Sequence, residues 1–248
     1  MTHPALPPGP VAIAHRGGSL EAEENTLEAF AHAVGLGFRE IEPDVHATRD
    51  GVAVIHHDAT LRRMTGDDRA IAEMDWAEVA RVRTHGGAAI PRVEEALAGF
   101  PDVRFIFELK APGSAAALAP LVRGEMTRVA VGAFAPAHTA DARARLGDGL
   151  LWSPGRPGVL GLWLQGWGLP LPRPAFRVMH VPPVFRGIPV VTPRLVRAAA
   201  RHGVAVQVWT VDEAAEMERL LDLGVHAVMT DRPSVLREVM RARGAWPG

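Results

Sequence analysis

The sequence predicts a (β/α)8 TIM barrel, and three observations carry that expectation. Short β-type runs alternate with helical segments from end to end. Several of those runs, RFIF and AVQV among them, are mostly apolar, as strands of a parallel sheet covered on both faces are. The chain has 248 residues and reads as eight strand-helix units, matching the usual size of such a barrel, about 250 residues.

The first unit is VAIAHRG (11–17) followed by NTLEAFAHAVGLG, in which Leu27, Phe30, Ala31 and Val34 recur at helical spacing and Gly35 and Gly37 stop the helix. FREIEPDV (38–45) and VAVIHHD (52–58) count as one barrel strand plus an extension, joined by a turn at Asp50-Gly51. Pro43 cannot donate to a ladder, so the second strand is expected to leave the sheet there. A short insertion follows, at about 59–92, with one helix in DWAEVARV. The later strands are VRFIFELK (103–110), RVAVGAF (128–134), GLLWS (149–153), FRVMHVP (176–182), VAVQVWT (204–210) and AVMT (227–230). Helices are expected near 92–99, 114–123, 136–146, 158–168, 193–202, 212–223 and 233–243. The whole, 1–248, reads as one domain. A doubly wound open sheet is the competing architecture, but the first strand runs into HRGGS and not into a dinucleotide glycine fingerprint.

Composition narrows the function. With 27 basic and 28 acidic residues the formal charge is -1, so no chain-wide field would hold nucleic acid or an anionic bilayer. The absence of Cys removes disulfides, thiolate nucleophiles and cysteine metal sites, and fits a reducing compartment. MTHPALPPGP lacks the charged start and apolar run of a signal peptide, so a cytoplasmic location is expected. The nearest candidate for a span, Gly158 to Pro172, has no charge but is interrupted by Gly, Pro and Gln and is too short to span a bilayer, so no stable membrane insertion is expected. Oligomeric state is left open. The usage is otherwise biased: one lysine, Lys110, against 26 arginines, and one asparagine, Asn25. Those two survivors mark positions where a compact ammonium or an uncharged amide with both donor and acceptor is expected to matter.

In a barrel, chemistry sits where strands end. His15 and Arg16 end the first strand, Glu42 and Asp44 the second, His57 and Asp58 its extension, Glu108 and Lys110 the third, His180 the sixth, and Trp209 and Thr210 the seventh. The amino-terminal ends show no comparable cluster. Glu42 and Asp44, two apart on a strand, share a face, with Glu108 level with them on the next strand. Three converging carboxylates call for a cation, and hard oxygen ligands suit Mg²⁺ or Ca²⁺. A pair of solvated rim acids is the competing reading of E-x-D. His15 and His57 can each work as acid or base near neutral pH, and the fork of Arg16 suits a phosphate. His46 and His56 are expected to be structural.

HRGG followed by EENTLEAF, then EPDV, DGVAVIHHDATLRRMTG, FELK and VWTVDEAAEMERLLDLGVHAVMTDRP resemble the glycerophosphodiester phosphodiesterase family over nearly the whole chain. The resemblance implies a metal-dependent barrel. In it His15 and His57 are the acid/base pair, Glu42, Asp44 and Glu108 the ligands of Mg²⁺ or Ca²⁺, and Arg16 and Lys110 lie near the phosphate. Glu24 and Asn25 hold the first loop. The implied substrate is a small-molecule glycerophosphodiester, cleaved to glycerol 3-phosphate and an alcohol through a cyclic phosphate. Pro43, His56 and Ala59 depart from the family's usual residues without removing a proposed ligand.

Trp209 is expected to wall the glycerol, and His180 either tunes the alcohol or hydrogen-bonds in the rim. Asp231, in TDRP, is expected to cap the last helix. Two other functions stay in view. A related barrel phosphodiesterase could act on lysophospholipid or sphingolipid-type diesters, because Leu160, Trp163, Leu164 and Trp167 form an apolar ridge at helical spacing. That ridge is expected to pack on the barrel. A non-catalytic phosphodiester-binding barrel is the other.

Overall fold

The computed structural model describes residues 3–246; the two residues at each end of the expected domain lie outside the described residues. Twelve strands are formed among the described residues. They are β1 (Val11–His15), β2 (Glu40–Glu42), β3 (Asp44–Ala47), β4 (Ala53–Ile55), β5 (Arg104–Leu109), β6 (Val129–Gly132), β7 (Leu151–Trp152), β8 (Val178–Val181), β9 (Val184–Phe185), β10 (Ile188–Pro189), β11 (Ala205–Val208) and β12 (Ala227–Thr230).

Parallel ladders join β7, β6, β5, β2, β1, β12, β11 and β8 in that order. Pro43 splits the second barrel strand as expected, and β3 carries it onward along β5, with Asp44 opposite Glu108. The extension β4 returns antiparallel to β3, as the Asp50-Gly51 turn predicts. The eight strands form a (β/α)8 barrel whose two end strands, β7 and β8, share no ladder. Instead the His180 amide donates to Ser153 Oγ at 2.9 Å across that seam.

Strand alternation sorts the side chains. Ala14, Ile41, Phe105, Phe107 and Val131 face outward into the core beneath the helices, while Ile13, Ile106, Ala130, Leu151, Val178 and Met229 fill the barrel. Helices cover the outside where the 3.6-residue pattern places them. Leu27–Gly35 starts on Thr26, whose Oγ1 accepts from the Ala29 amide, and Pro193–His202 starts on Thr192 in the same way, with proline in its first turn. Residues 59–92 wrap a separate small core of Leu61, Ile71, Met74, Val79 and Ile90 against Val54. Among the described residues no helix is long and apolar enough to cross a membrane.

Two expectations are corrected, and one element is new. The amino-terminal end of the barrel does carry charge: Glu40 and Arg104 open neighbouring strands, both point inward and form an ion pair. Ala5 and Leu6 pack under the interior, and His226 Nε2 bonds to the Pro7 carbonyl, closing that end. The hairpin β9–β10 was not foreseen, because Pro182, Pro183 and Pro189 around it argue against strands. It turns on Arg186 and Gly187, both in the left-handed region. Finally, the apolar ridge is not simply packed on the barrel. Helix Arg156–Gly166 buries Leu162 and Gln165, whereas Leu160 and Trp167 are about half exposed. The helix is apolar on every side, so spacing alone could not select the face that packs.

Candidate active site

The first loop is built by backbone conformation. Arg16 and Asn25 both adopt left-handed φ, near 52° and 58°. Between them Gly17 and Gly18 admit no side chain: a Cβ on Gly17 would stand 2.7 Å from Ala29 Cβ, and one on Gly18 would stand 2.6 Å from Pro233. The Arg16 amide donates to the Glu42 carbonyl and the Asn25 amide to the Arg16 carbonyl, so the loop is pinned to the second barrel strand.

Glu42, Asp44 and Glu108 converge as strand alternation predicts. One oxygen from each lies within 4.8 Å of the others. The Asp44 side chain has no solvent exposure. Asn25 holds it twice, donating from Nδ2 to Oδ2 at 2.8 Å and accepting from the Asp44 amide at 3.2 Å. That is the donor-plus-acceptor role which the single asparagine foreshadowed. Arg16 Nε approaches Oδ2 at 3.1 Å without being aligned to donate. Lys110 Nζ sits 3.4 Å from Asp44 Oδ1 and 3.3 Å from Glu108 Oε1.

These cations do not complete the cluster. Glu42 Oε2 and Asp44 Oδ1 are buried with no hydrogen bond, a state that costs a few kcal/mol per charged group unless something compensates it. Burial first, and the neighbouring Asp44 charge second, push the Glu42 carboxyl up to about 8. Burial also raises Glu108, in opposition to Lys110. Lys110 is itself held above its ordinary value, since Asp44 and Glu108 outweigh its burial. An array of buried hard oxygens with unmet bonding capacity fits a divalent cation, and the rim-acid reading of E-x-D does not match its burial.

Each candidate histidine has a carboxylate behind it. His15 Nδ1 is 2.7 Å from Asp231 Oδ1, and its Nε2 lies 3.8 Å from Glu42. Burial would lower the His15 pKa, but the Asp231 hydrogen bond and the charges of Glu42 and Asp231 carry it above its ordinary value. Asp231 is therefore not the cap of the last helix, as expected above. That helix, Pro233–Ala242, has no side-chain cap bond from its own N-cap residue, and Glu21 meets the Ser234 amide instead. The Asp231 amide is in turn held by Asp212 Oδ1. A partner 216 positions away in the chain leaves no local sequence signal.

His57 Nδ1 bonds to Asp58 Oδ1 at 2.7 Å. Arg63, from the insertion, donates to Asp58 Oδ2 and with two nitrogens to Glu24, which also receives Arg16 at 3.2 Å. The Glu24 carboxyl is held below its usual range, Arg63 and Arg16 outweighing its burial. The two histidine loops are thus tied through Arg63, a residue without a local sequence signal for that role. His46 and His56 bond to the carbonyls of His57 and Thr60, the structural part expected of them.

An open cavity at the barrel mouth is lined by His15, Glu42, Glu108, Ser153, His180 and Trp209. Trp209 packs edge-on against Phe134, with ring centroids 5.3 Å apart. His180 is half-buried, with its Nε2 atom shielded from solvent and without a hydrogen bond, and desolvation pushes its pKa down to about 4, so it is neutral at physiological pH. Trp209 and His180 stand opposite the carboxylates, on the wall of the cavity.

Known proteins resemble the chain over most of its length. The profile of the glycerophosphoryl diester phosphodiesterase family matches residues 15–147 and 163–235. A Mycobacterium tuberculosis protein named "Probable glycerophosphodiester phosphodiesterase 2" is 38% identical over 97% of this chain and 94% of its own. A glycerophosphodiester phosphodiesterase structure from Agrobacterium tumefaciens superposes with a TM-score of 0.80 at 23% identity, covering 94% of this chain and 100% of that one. An Oleispira antarctica phosphodiesterase, solved in complex with the product sn-glycerol-3-phosphate, superposes with a TM-score of 0.79 at 22% identity, covering 94% of this chain and 97% of the other.

Proposed function

The chain belongs to the glycerophosphoryl diester phosphodiesterase family, and from that premise we propose that it hydrolyses small glycerophosphodiesters to glycerol 3-phosphate and an alcohol, as one catalytic domain working in the cytoplasm. The observation that carries this reading is the set of three carboxylates, Glu42, Asp44 and Glu108, set within 4.8 Å of one another beside a carboxylate-backed histidine. A glycerol 3-phosphate complex of a structural neighbour supports the product.

Glu42, Asp44 and Glu108 would hold the divalent cation, Mg²⁺ or Ca²⁺. When bound, it would supply positive charge where the phosphodiester gathers negative charge on its nonbridging oxygens. The rest falls to the chain. Asp231 and Asp58 occupy the Nδ1 atoms of His15 and His57, leaving Nε2 of each ring as the atom that takes or gives a proton. In the first half-reaction one Nε2 accepts the proton of the glycerol 2-hydroxyl as it attacks phosphorus, and the other protonates the departing alcohol. In the second the roles exchange as water opens the cyclic phosphate. Arg16 and Lys110, both leaning on Asp44, would face the phosphate as fixed donors whose charge is needed most in the transition state. Trp209 with Phe134 would wall the glycerol, and neutral His180 would line the side of the cavity that receives the alcohol.

A panel of glycerophosphodiesters assayed with Mg²⁺, Ca²⁺ or chelator tests the proposal. Release of glycerol 3-phosphate that chelator abolishes and one of the two ions restores is the expected result. Hydrolysis of no diester under any ion, with binding retained, would make the barrel a binder and overturn the reading.

A further inference from the structure

The net charge of -1 conceals a one-signed region. From Gly149 to Val211 the chain has seven arginines, no lysine, and neither Asp nor Glu, leaving 20 basic residues against 28 acidic on the rest. All seven arginines are exposed. The same region holds seven of the nine large apolar side chains that the described residues leave exposed: three in the β9–β10 hairpin and four in and after helix Arg156–Gly166. In the hairpin, Val184 is 52%, Phe185 41% and Ile188 58% exposed.

The cations and the apolar tips are physically joined. Arg156 and Arg186 both lie over the Phe185 ring, at 5.2 and 5.5 Å, and Arg194 lies over Trp167 at 4.0 Å. Those contacts connect the start of helix Arg156–Gly166 to the hairpin, and the segment after that helix to the helix that follows the hairpin. The hairpin sits in the loop after β8, at the carboxyl ends of the strands where the mouth opens. The two remaining exposed apolar residues, Leu20 and Phe134, follow β1 and β6 on that same side, and Phe134 lines the cavity.

We propose that this face docks peripherally on an anionic lipid bilayer, with the hairpin tip and Trp167 entering the headgroup boundary and the arginines meeting lipid phosphates. Apolar and aromatic tips ringed by guanidinium groups have the composition of an interfacial anchor, and an exposed apolar patch of this kind signals a partner. Within the hairpin and the two helices beside it no acid offsets Arg156, Arg186 and Arg194, so this part of the surface meets an anionic layer without local repulsion. A second copy of this chain is the poorer occupant, since it would set Arg156, Arg186 and Arg194 against the same three cations. The sequence-wide charge argued against a bilayer only because it averaged two oppositely charged regions. Docking of this kind brings the mouth to the membrane surface without any segment crossing it.

The test is flotation of the full-length protein with vesicles of phosphatidylcholine alone or mixed with phosphatidylglycerol, at low and high salt. Binding to the mixed vesicles, weak binding to phosphatidylcholine, and loss at high salt are expected. The double variant Arg156→Gln with Arg186→Gln should lower partitioning about fivefold per arginine, and Phe185→Ser with Ile188→Ser should lower it by more than tenfold. Both variants should hydrolyse water-soluble glycerophosphocholine at the wild-type rate. No binding to phosphatidylglycerol vesicles, binding that neither double variant weakens, or a concentration-dependent dimer that the Phe185 and Ile188 changes dissolve would overturn the proposal. A wild type that binds vesicles but hydrolyses no diester would strike the proposed reaction and leave the docking face standing.

Discussion

Glu40 and Glu42 stand two residues apart on one strand, point into the same barrel, and are 5% and 3% exposed. Their neighbourhoods differ. Glu40, at the closed end, has Arg104 as an ion-pair partner and the amino-terminal segment beneath it. Glu42, at the open end, keeps one oxygen buried and unbonded and shares its space with two further carboxylates. Burial raises both, Glu40 to about 7 and Glu42 to about 8, but the Arg104 charge opposes the rise at Glu40 whereas Asp44 adds to it at Glu42. One end satisfies its charge from within the chain. The other leaves charge unmet, which lowers stability and leaves bonding capacity for a cation and a substrate.

Substitutions at the two ends should therefore separate activity from stability. The largest effect is expected at the mouth: His15→Ala or His57→Ala should lower kcat by about 10³-fold, roughly 4 kcal/mol of barrier, with far-UV circular dichroism unchanged. An active double variant would remove both histidines from the chemistry. At the closed end, Arg104→Ala strands Glu40 in the interior and should cost about 2–3 kcal/mol in urea unfolding, while kcat stays within twofold. A large loss of kcat there would erase the contrast.

Asn25→Asp sets a second carboxylate against Asp44, and Lys110→Arg replaces a compact ammonium with a wide fork. Each should lower turnover about 30-fold, and wild-type rates would reduce the retention of one Asn and one Lys to coincidence. The smallest effect concerns His180. Its folded pKa near 4 lies below the unfolded value of about 6.5, so the unfolded chain binds the extra proton first as pH falls. The stability it confers is complete above about pH 6.5 and is lost on the way down to about 4. His180→Phe should therefore blunt the acid sensitivity of the unfolding free energy, by about 1 kcal/mol between neutral pH and pH 5.5.

Much of this was legible in the chain because barrel strands obey short rules. Alternation was enough to put Glu42 and Asp44 on one face with Glu108 beside them, and apolar runs marked the strands that helices cover. What escaped depends on long range or on surface. Asp231 looked like a cap because its local neighbours, Pro233 onward, suit one, and nothing nearby points to His15. Arg63 was one arginine among 26 until the insertion folded it onto Glu24 and Asp58. Phe185 and Ile188 touch no core, so no burial pattern announced their hairpin.

The seam between β7 and β8 gives the mouth an uneven circumference. Everywhere else its width is fixed by several main-chain bonds per strand pair, but there a single serine hydroxyl clasps a histidine amide. The clasp lies on the wall with His180, opposite the carboxylates. Substitutions beside Ser153 would alter the width of the mouth at that seam while leaving the ladder of β1, β2 and β5 undisturbed.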